Sequence, residues 1–186
     1  MGFDKAIIHL DPVGPLVRAD AGGRTTIIGV PDPETAAKTA LDLIADGVGR
    51  IELCGAFGPA AAAAVYRAVD GAVPVGLVLF GLESLTGVAA YKARFEAGER
   101  LAAAFVYLHE GADPAGDRDL REHEGGTALF VAVPDVAAAA AVAVDLVAGG
   151  EAELIELYGG FTPRSAAVVI DAIKAEVPVG VAVYGP

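Results

Sequence analysis

The feature that most constrains this chain is that its sequence is written twice. Gly29-Val30-Pro31-Asp32 returns as Ala132-Val133-Pro134-Asp135. Ile51-Glu52-Leu53-Cys54-Gly55-Ala56-Phe57-Gly58-Pro59 returns as Ile155-Glu156-Leu157-Tyr158-Gly159-Gly160-Phe161-Thr162-Pro163. Val73-Pro74-Val75-Gly76 returns as Val177-Pro178-Val179-Gly180, and Phe80-Gly81 as Tyr184-Gly185. The matches keep their order, with a single-residue slip between helix and strand, which chance likeness of two Ala-rich helices does not produce. Each copy is therefore expected to be one structural unit, the first over residues 3–82 and the second over 100–186, joined by a linker helix within 83–99.

Within the first copy, Ala6–Leu10 is a short apolar run and Thr25–Val30 is β-branched and apolar, so both read as strands. Residues 33–46 carry apolar side chains at helical spacing (Ala36, Ala37, Ala40, Leu43, Ile44). Asp32 suits the N-cap, Pro33 the first helical position and Gly47 the end. Ile51–Cys54 is a third strand, Pro59 opens a helix running to about Val69, and Val75–Phe80 is a fourth strand. The second copy repeats this with strands near 102–108, 127–133, 153–158 and 179–184. The fold class is α/β: two β-β-α-β-α-β units with mainly parallel strands and a pseudo-twofold relation, as one sheet, an internal pseudo-dimer or a small (β/α) barrel-like closure. The segments 11–24 and 109–126 read as loops, the second a flexible lid.

Charge excludes several partners. The chain has 13 basic and 25 acidic residues, a net charge of −12, and no basic stripe to neutralise phosphates, so neither nucleic acid nor an anionic membrane is an expected partner. The most apolar run, Val136–Val144, is too short to span a bilayer. The N-terminus lacks a signal-peptide pattern, and Ala6 stands where a myristoylation motif wants Ser or Thr. Cys54 is the one cysteine, so an internal disulfide is impossible. A cytoplasmic protein is expected, with a small-molecule ligand, no cofactor and no metal; a single chain and a homo-oligomer are both compatible with the sequence.

The segments Val30-Pro31-Asp32, Ile51 to Gly58 and Val73-Pro74-Val75-Gly76 resemble a bacterial family of unknown function, DUF6506, whose members are single units with an I-E-L-C-G-G-F-G strand-loop. The resemblance covers most of the first half; the second departs at Tyr158 and Thr162. It implies a fold and no activity. A fainter similarity links the pattern to aldolases of the 2-keto-3-deoxy-6-phosphogluconate type, which use a strand-borne lysine. No strand read here contains an interior lysine, which leaves that mechanism without support.

Ligands of parallel α/β proteins gather at the C-terminal ends of strands. That rule selects His9 and Asp11, Pro31-Asp32, the 52–58 loop and their counterparts. Glu52 and Glu156 each interrupt an apolar strand near its end. A buried carboxylate must pair, protonate or face a cavity, so each is a candidate acid/base or a structural acceptor. Cys54, two residues on, is a candidate nucleophile, although a free cysteine is more often a small buried hydrophobe. Gly55, Phe57, Gly159 and Phe161 lead into helices and are candidate ligand contacts, or tight turns with Phe as a core plug. His9 aligns with Tyr107, and Cys54 with Tyr158, completing the candidate contacts. His109, Glu110, Asp113, Asp117, Asp119, Glu122, His123 and Glu124 match no metal cage and read as a solvated loop. The expected function is a small-metabolite enzyme of lyase, isomerase or hydrolase type with a Glu acid/base; the alternative is a non-catalytic binding or assembly protein. The first half is favoured, because Glu52 has Cys54 and His9 as expected neighbours.

The charge distribution sets a first test. In a mobility-shift assay at near-physiological salt the protein is expected to leave DNA and RNA unshifted; micromolar, salt-sensitive binding overturns that reading.

Overall fold

The computed structural model describes residues 4–10, 15–20 and 23–185. By packing, the chain divides into two units. The first is the chain up to Leu79 together with the stretch from Ala182 onward, and the second runs from Phe80 to Val181.

Unit 1 is built on β1 (Lys5–His9), β2 (Leu16–Asp20), β3 (Gly23–Gly29), α1 (Pro33–Ala45), β4 (Arg50–Leu53), α2 (Gly58–Val69) and β5 (Val75–Phe80), whose last residue already belongs to unit 2. Its strands lie in the order β2-β3-β1-β4-β5, all parallel except β2 against β3. Two crossovers, β3-α1-β4 and β4-α2-β5, step the same way along this sheet, so both helices fall on one face under the right-handed rule, and they pack on each other. Asp32 caps α1 as the sequence suggests, accepting from the Thr35 amide at 2.7 Å.

Unit 2 contains α3 (Leu85–Glu96), β6 (Leu101–Leu108), β7 (Arg118–His123), β8 (Gly126–Val133), α4 (Val136–Ala148), β9 (Leu154–Tyr158), α5 (Pro163–Ala172) and β10 (Val179–Tyr184), which passes into unit 1 at Ala182. The strand order β10-β9-β6-β8-β7 is again parallel apart from its edge strand, β7. Among the described residues no helix is long and apolar enough to cross a membrane.

Side chains alternate across a strand, so the register sorts each sheet into two faces. In unit 2 one face (Ala104, Val106, Leu129, Val131, Ile155, Leu157) packs on α4 and α5 in a continuous hydrophobic core. The equivalent positions of unit 1 (Ala6, Ile8, Ile51, Leu53) are completely buried. The other face carries the candidate chemistry: Lys5, Ile7, His9, Ile27, Arg50 and Glu52 in unit 1; Phe105, Tyr107, Phe130, Glu156 and Tyr158 in unit 2.

Two expectations need correction. The segments read as loops each contain a strand, β2 and β7, hydrogen-bonded antiparallel to β3 and β8. Both are edge strands, with one side open to water. Arg118 to His123 is therefore mostly polar, and Leu16-Val17-Arg18-Ala19-Asp20 is interrupted by charge, so neither shows the apolar run of an interior strand. The loop reading of 109–124 gives way to a strand over Arg118–His123, and ahead of it His109 and Ala112 are buried while Asp113 and Asp117 tie the turn through backbone amides, an arrangement unlike an open lid. Asp11 lies outside the described residues.

Hydrogen exchange tests this edge pairing. Amides of β7 that point at β8 are expected to exchange roughly tenfold or more slowly than those of residues 110–116. Uniformly fast exchange across 110–123 restores the lid.

Candidate functional site

Glu52 sits at the centre of the unit 1 sheet, completely buried, with Ile7 beside it on β1 and Gly76 on β5. Gly76 is a slot. A Cβ there would lie 3.0 Å from Cε1 of Tyr184, whose ring occupies the space a side chain would fill. From that slot the Tyr184 hydroxyl donates to Glu52 Oε1 at 2.5 Å, across 132 residues of sequence. The Arg50 guanidinium lies 5.7 Å from the centroid of the same ring, a cation–π contact. Lys5 stands directly opposite Arg50 in the β1–β4 register. Burial, then the Arg50 charge, holds the Lys5 amine below the usual lysine range, while Glu52 and Asp20 pull it back up. Burial, then the charge and hydrogen bond of Glu52, pushes the Tyr184 phenol far above the tyrosine range, so it is a fixed donor.

Glu156 is the counterpart in unit 2 and is also buried. Its donor comes from elsewhere: Tyr158, two residues along the same strand and fully buried, gives its hydroxyl to Glu156 Oε2. The setting is aromatic. Phe105, opposite Glu156 in the register, stacks on Phe130 at 4.8 Å and on Tyr158 at 6.1 Å, and Tyr107 pairs with Tyr158. Tyr91 on α3 has its phenol pushed up to about 12 by burial and by the charges of Glu156 and Glu153.

The register aligns the copies residue by residue. Glu52 and Gly76 keep their identities as Glu156 and Gly180. Lys5 becomes Ala103, Arg50 becomes Leu154, Cys54 becomes Tyr158, and Tyr184 stands where the other copy has Phe80. Each carboxylate thus has a phenol, supplied from a position where the other copy has none.

At the C-terminal ends of the strands, His9 and Cys54 are both buried. The Cys54 amide donates to Ile8 O at 3.1 Å, and one step beyond the Ile8–Leu53 pair the ladder sets His9 beside Cys54. Gly55 opens the 3-10 turn Gly55–Phe57, and Phe57 is buried. Gly159 has a φ of 85°, and a Cβ there would meet the Leu108 backbone at 2.7 Å, so only glycine lets this loop press on the end of β6. Phe161 belongs to the helix-side core, on the opposite face from Glu156. The start of α5 is closed by its own capping box, Thr162 with Ser165.

Sequence reasoning missed Tyr184, Lys5, Arg50 and Tyr91. Lys5 and Arg50 each begin a strand, a position that reads as loop in the sequence. Tyr184 carries one visible signal, its mismatch with Phe80 in the repeat.

A tyrosine absorbance titration tests the buried phenols. The folded phenols of Tyr91 and Tyr184 sit above the unfolded value of about 10, so their contribution to stability is intact below pH 10 and is lost as pH rises beyond it. At pH 11 the folded protein is expected to keep both protonated, and Tyr184→Phe and Tyr91→Phe to remove only late-titrating signal. Full ionisation of all five tyrosines by pH 11 without unfolding contradicts the geometry.

No curated protein matches the chain. Among solved structures, a carbohydrate transporter from Acidothermus cellulolyticus 11B in complex with myo-inositol is similar at 14% identity with a TM-score of 0.35, over 97% of this chain and 74% of that one. A solute-binding protein of an ABC transporter from Burkholderia graminis C4D1M, in complex with D-arabinose, is similar at 14% identity with a TM-score of 0.32, over 95% and 74%. Likeness this faint carries no argument about what the chain binds. A family model does match, twice, over residues 14–93 and 101–186: the family of unknown function DUF6506. The chain belongs to that family, as a tandem duplication of its unit.

Proposed function

We propose that the protein is an enzyme acting on a small polar metabolite without a redox cofactor, of lyase, isomerase or hydrolase type, in which Glu156 is the acid/base and Tyr158 positions it. One observation carries the reading. Glu156 is a buried carboxylate hydrogen-bonded by a buried phenol, on a face where the cation positions of the other copy have become Ala103 and Leu154. A buried carboxyl group held in one orientation by a hydrogen bond is the kind of side chain that moves protons in acid–base catalysis. In this scheme Glu156 takes a proton from the substrate and returns it, while the Tyr158 O–H holds the carboxylate in one orientation. Tyr107 and His109, buried at the end of β6, contribute polar groups at the same strand ends.

Glu52 supports the second reading, a binding or assembly role. Lys5 and Arg50 place positive charge around it, and Tyr184 anchors it to the end of β10. A carboxylate compensated in this way holds structure. Cys54 and His9 keep the first copy in contention as a second catalytic centre, with Cys54 as nucleophile.

Thermal and denaturant melts of two variants separate these roles before any substrate is known. Glu52→Gln removes the counter-charge of Lys5 and is expected to cost about 1–3 kcal/mol. Glu156→Gln keeps size and an acceptor for Tyr158 and is expected to cost less than Glu52→Gln, at most about 1 kcal/mol. With a substrate in hand, Glu156→Gln should lower the rate on the order of a hundredfold or more. A Glu156→Gln loss as large as that of Glu52→Gln sinks the catalytic assignment.

A further inference from the structure

The unit 1 sheet gathers positive charge on one row of one face. One row of register partners runs across four strands: Arg18 on β2, Thr25 on β3, Lys5 on β1 and Arg50 on β4. Three of the chain's 13 basic residues thus share one row of one face, in a protein whose net charge is −12. Arg18 pairs with Asp20 at 3.1 Å, and Lys5 feels both Asp20 and Glu52. Arg50 differs. Among the described residues no carboxylate lies within ion-pair distance of it, and it lies over the Tyr184 ring; its buried Nε has no acceptor, which is also true of the Nε of Arg18 and of Arg24.

The second copy shows that the fold does not need these charges. The same row there reads Arg121, Ala128, Ala103 and Leu154. The edge arginine is kept, paired with Asp119, while Lys5 and Arg50 are replaced by apolar residues on an equally regular sheet. Two cations directly opposite each other on neighbouring strands repel, and a buried guanidinium donor without an acceptor is costly. An arrangement that both disfavours the free protein and is dispensable for the fold calls for a ligand that compensates it.

We propose that Arg50, with Lys5 beside it and the Tyr184 ring against the guanidinium, is a recognition site for a small oxyanion: the carboxylate or phosphate group of a metabolite. The planar guanidinium offers a fork of N–H donors that matches two oxygens of either group, and the cation–π contact with Tyr184 limits its freedom in advance. The Lys5 ammonium adds a point charge, and an anion between the two cations relieves their mutual repulsion, which after burial is what depresses the Lys5 amine. The site lies at the N-terminal ends of β1 and β4, in the copy not assigned the acid/base, so it stands independently of the role given to Glu156.

The experiment uses the full chain, titrated separately with inorganic phosphate and with malonate at constant ionic strength, chloride being the reference. The readouts are the Arg50 Nε–H signal by NMR and the melting temperature. Saturable shifts are expected with at least one of the two anions. Saturation with phosphate alone assigns a phosphate-bearing ligand, and with malonate alone a carboxylate. Arg50→Gln is expected to weaken binding tenfold or more, while Arg121→Gln and Glu156→Gln bind as wild type does. Should Arg50→Gln fail to fold, Arg50→Lys keeps the charge, loses the fork and is expected to bind about tenfold more weakly at an unchanged melting temperature. The proposal is overturned if neither anion saturates beyond the chloride effect, or if binding survives unchanged in the Arg50 variants.

Discussion

A carboxylate with almost no access to water lies at the centre of the sheet of each unit, and neither can be left without a donor. Transfer of such a group from water costs several kcal/mol unless hydrogen bonds and charges compensate it. Much else around the two sites follows from that demand. Gly76 must lack a side chain so that the Tyr184 ring can lie where its hydroxyl reaches Glu52. Tyr158 must remain in line with Glu156 on one strand. The arrangement of cations and aromatics around each copy is a different solution to the same electrostatic problem.

Duplication explains why two solutions coexist. In a single-unit protein one residue type at each position serves every copy. Here the positions of Cys54 and Tyr158, of Tyr184 and Phe80, and of Lys5 and Ala103 have separated while the glutamates have not. One copy surrounds its carboxylate with charge, and the other surrounds it with rings. The helix-side core, by contrast, is alike in the two units, because packing constrains it and chemistry does not.

The interior of the fold was legible in the sequence because interior strands are apolar on both faces: β5 and β10 begin and end where their Val-rich runs do. The edge strands were not. β7 spells Arg118-Asp119-Leu120-Arg121-Glu122-His123, and in such a segment partnering, not hydrophobicity, decides strand from loop. The same asymmetry governs the site. Glu52 and Glu156 stood out as charges inside apolar runs, a purely local signal. Lys5 and Arg50 sit one residue outside those runs and look like ordinary strand-flanking cations until the register sets them side by side. Tyr184 could not be assigned to Glu52 at all, because nothing local connects residues so far apart in the chain.

The placement of residues 182–184 has a consequence for how the protein comes into being. A chain leaves the ribosome N-terminus first, at roughly 5–20 residues per second. The strands β1, β3, β4 and β5 and both helices of unit 1 are synthesised well before the end of β10, and the bond from Tyr184 to Glu52 spans 132 residues. For on the order of ten seconds at those speeds the first half therefore exists without the phenol that donates to its Glu52. The bond that seats the Tyr184 ring in the gap left by Gly76 forms only once residue 184 has been made.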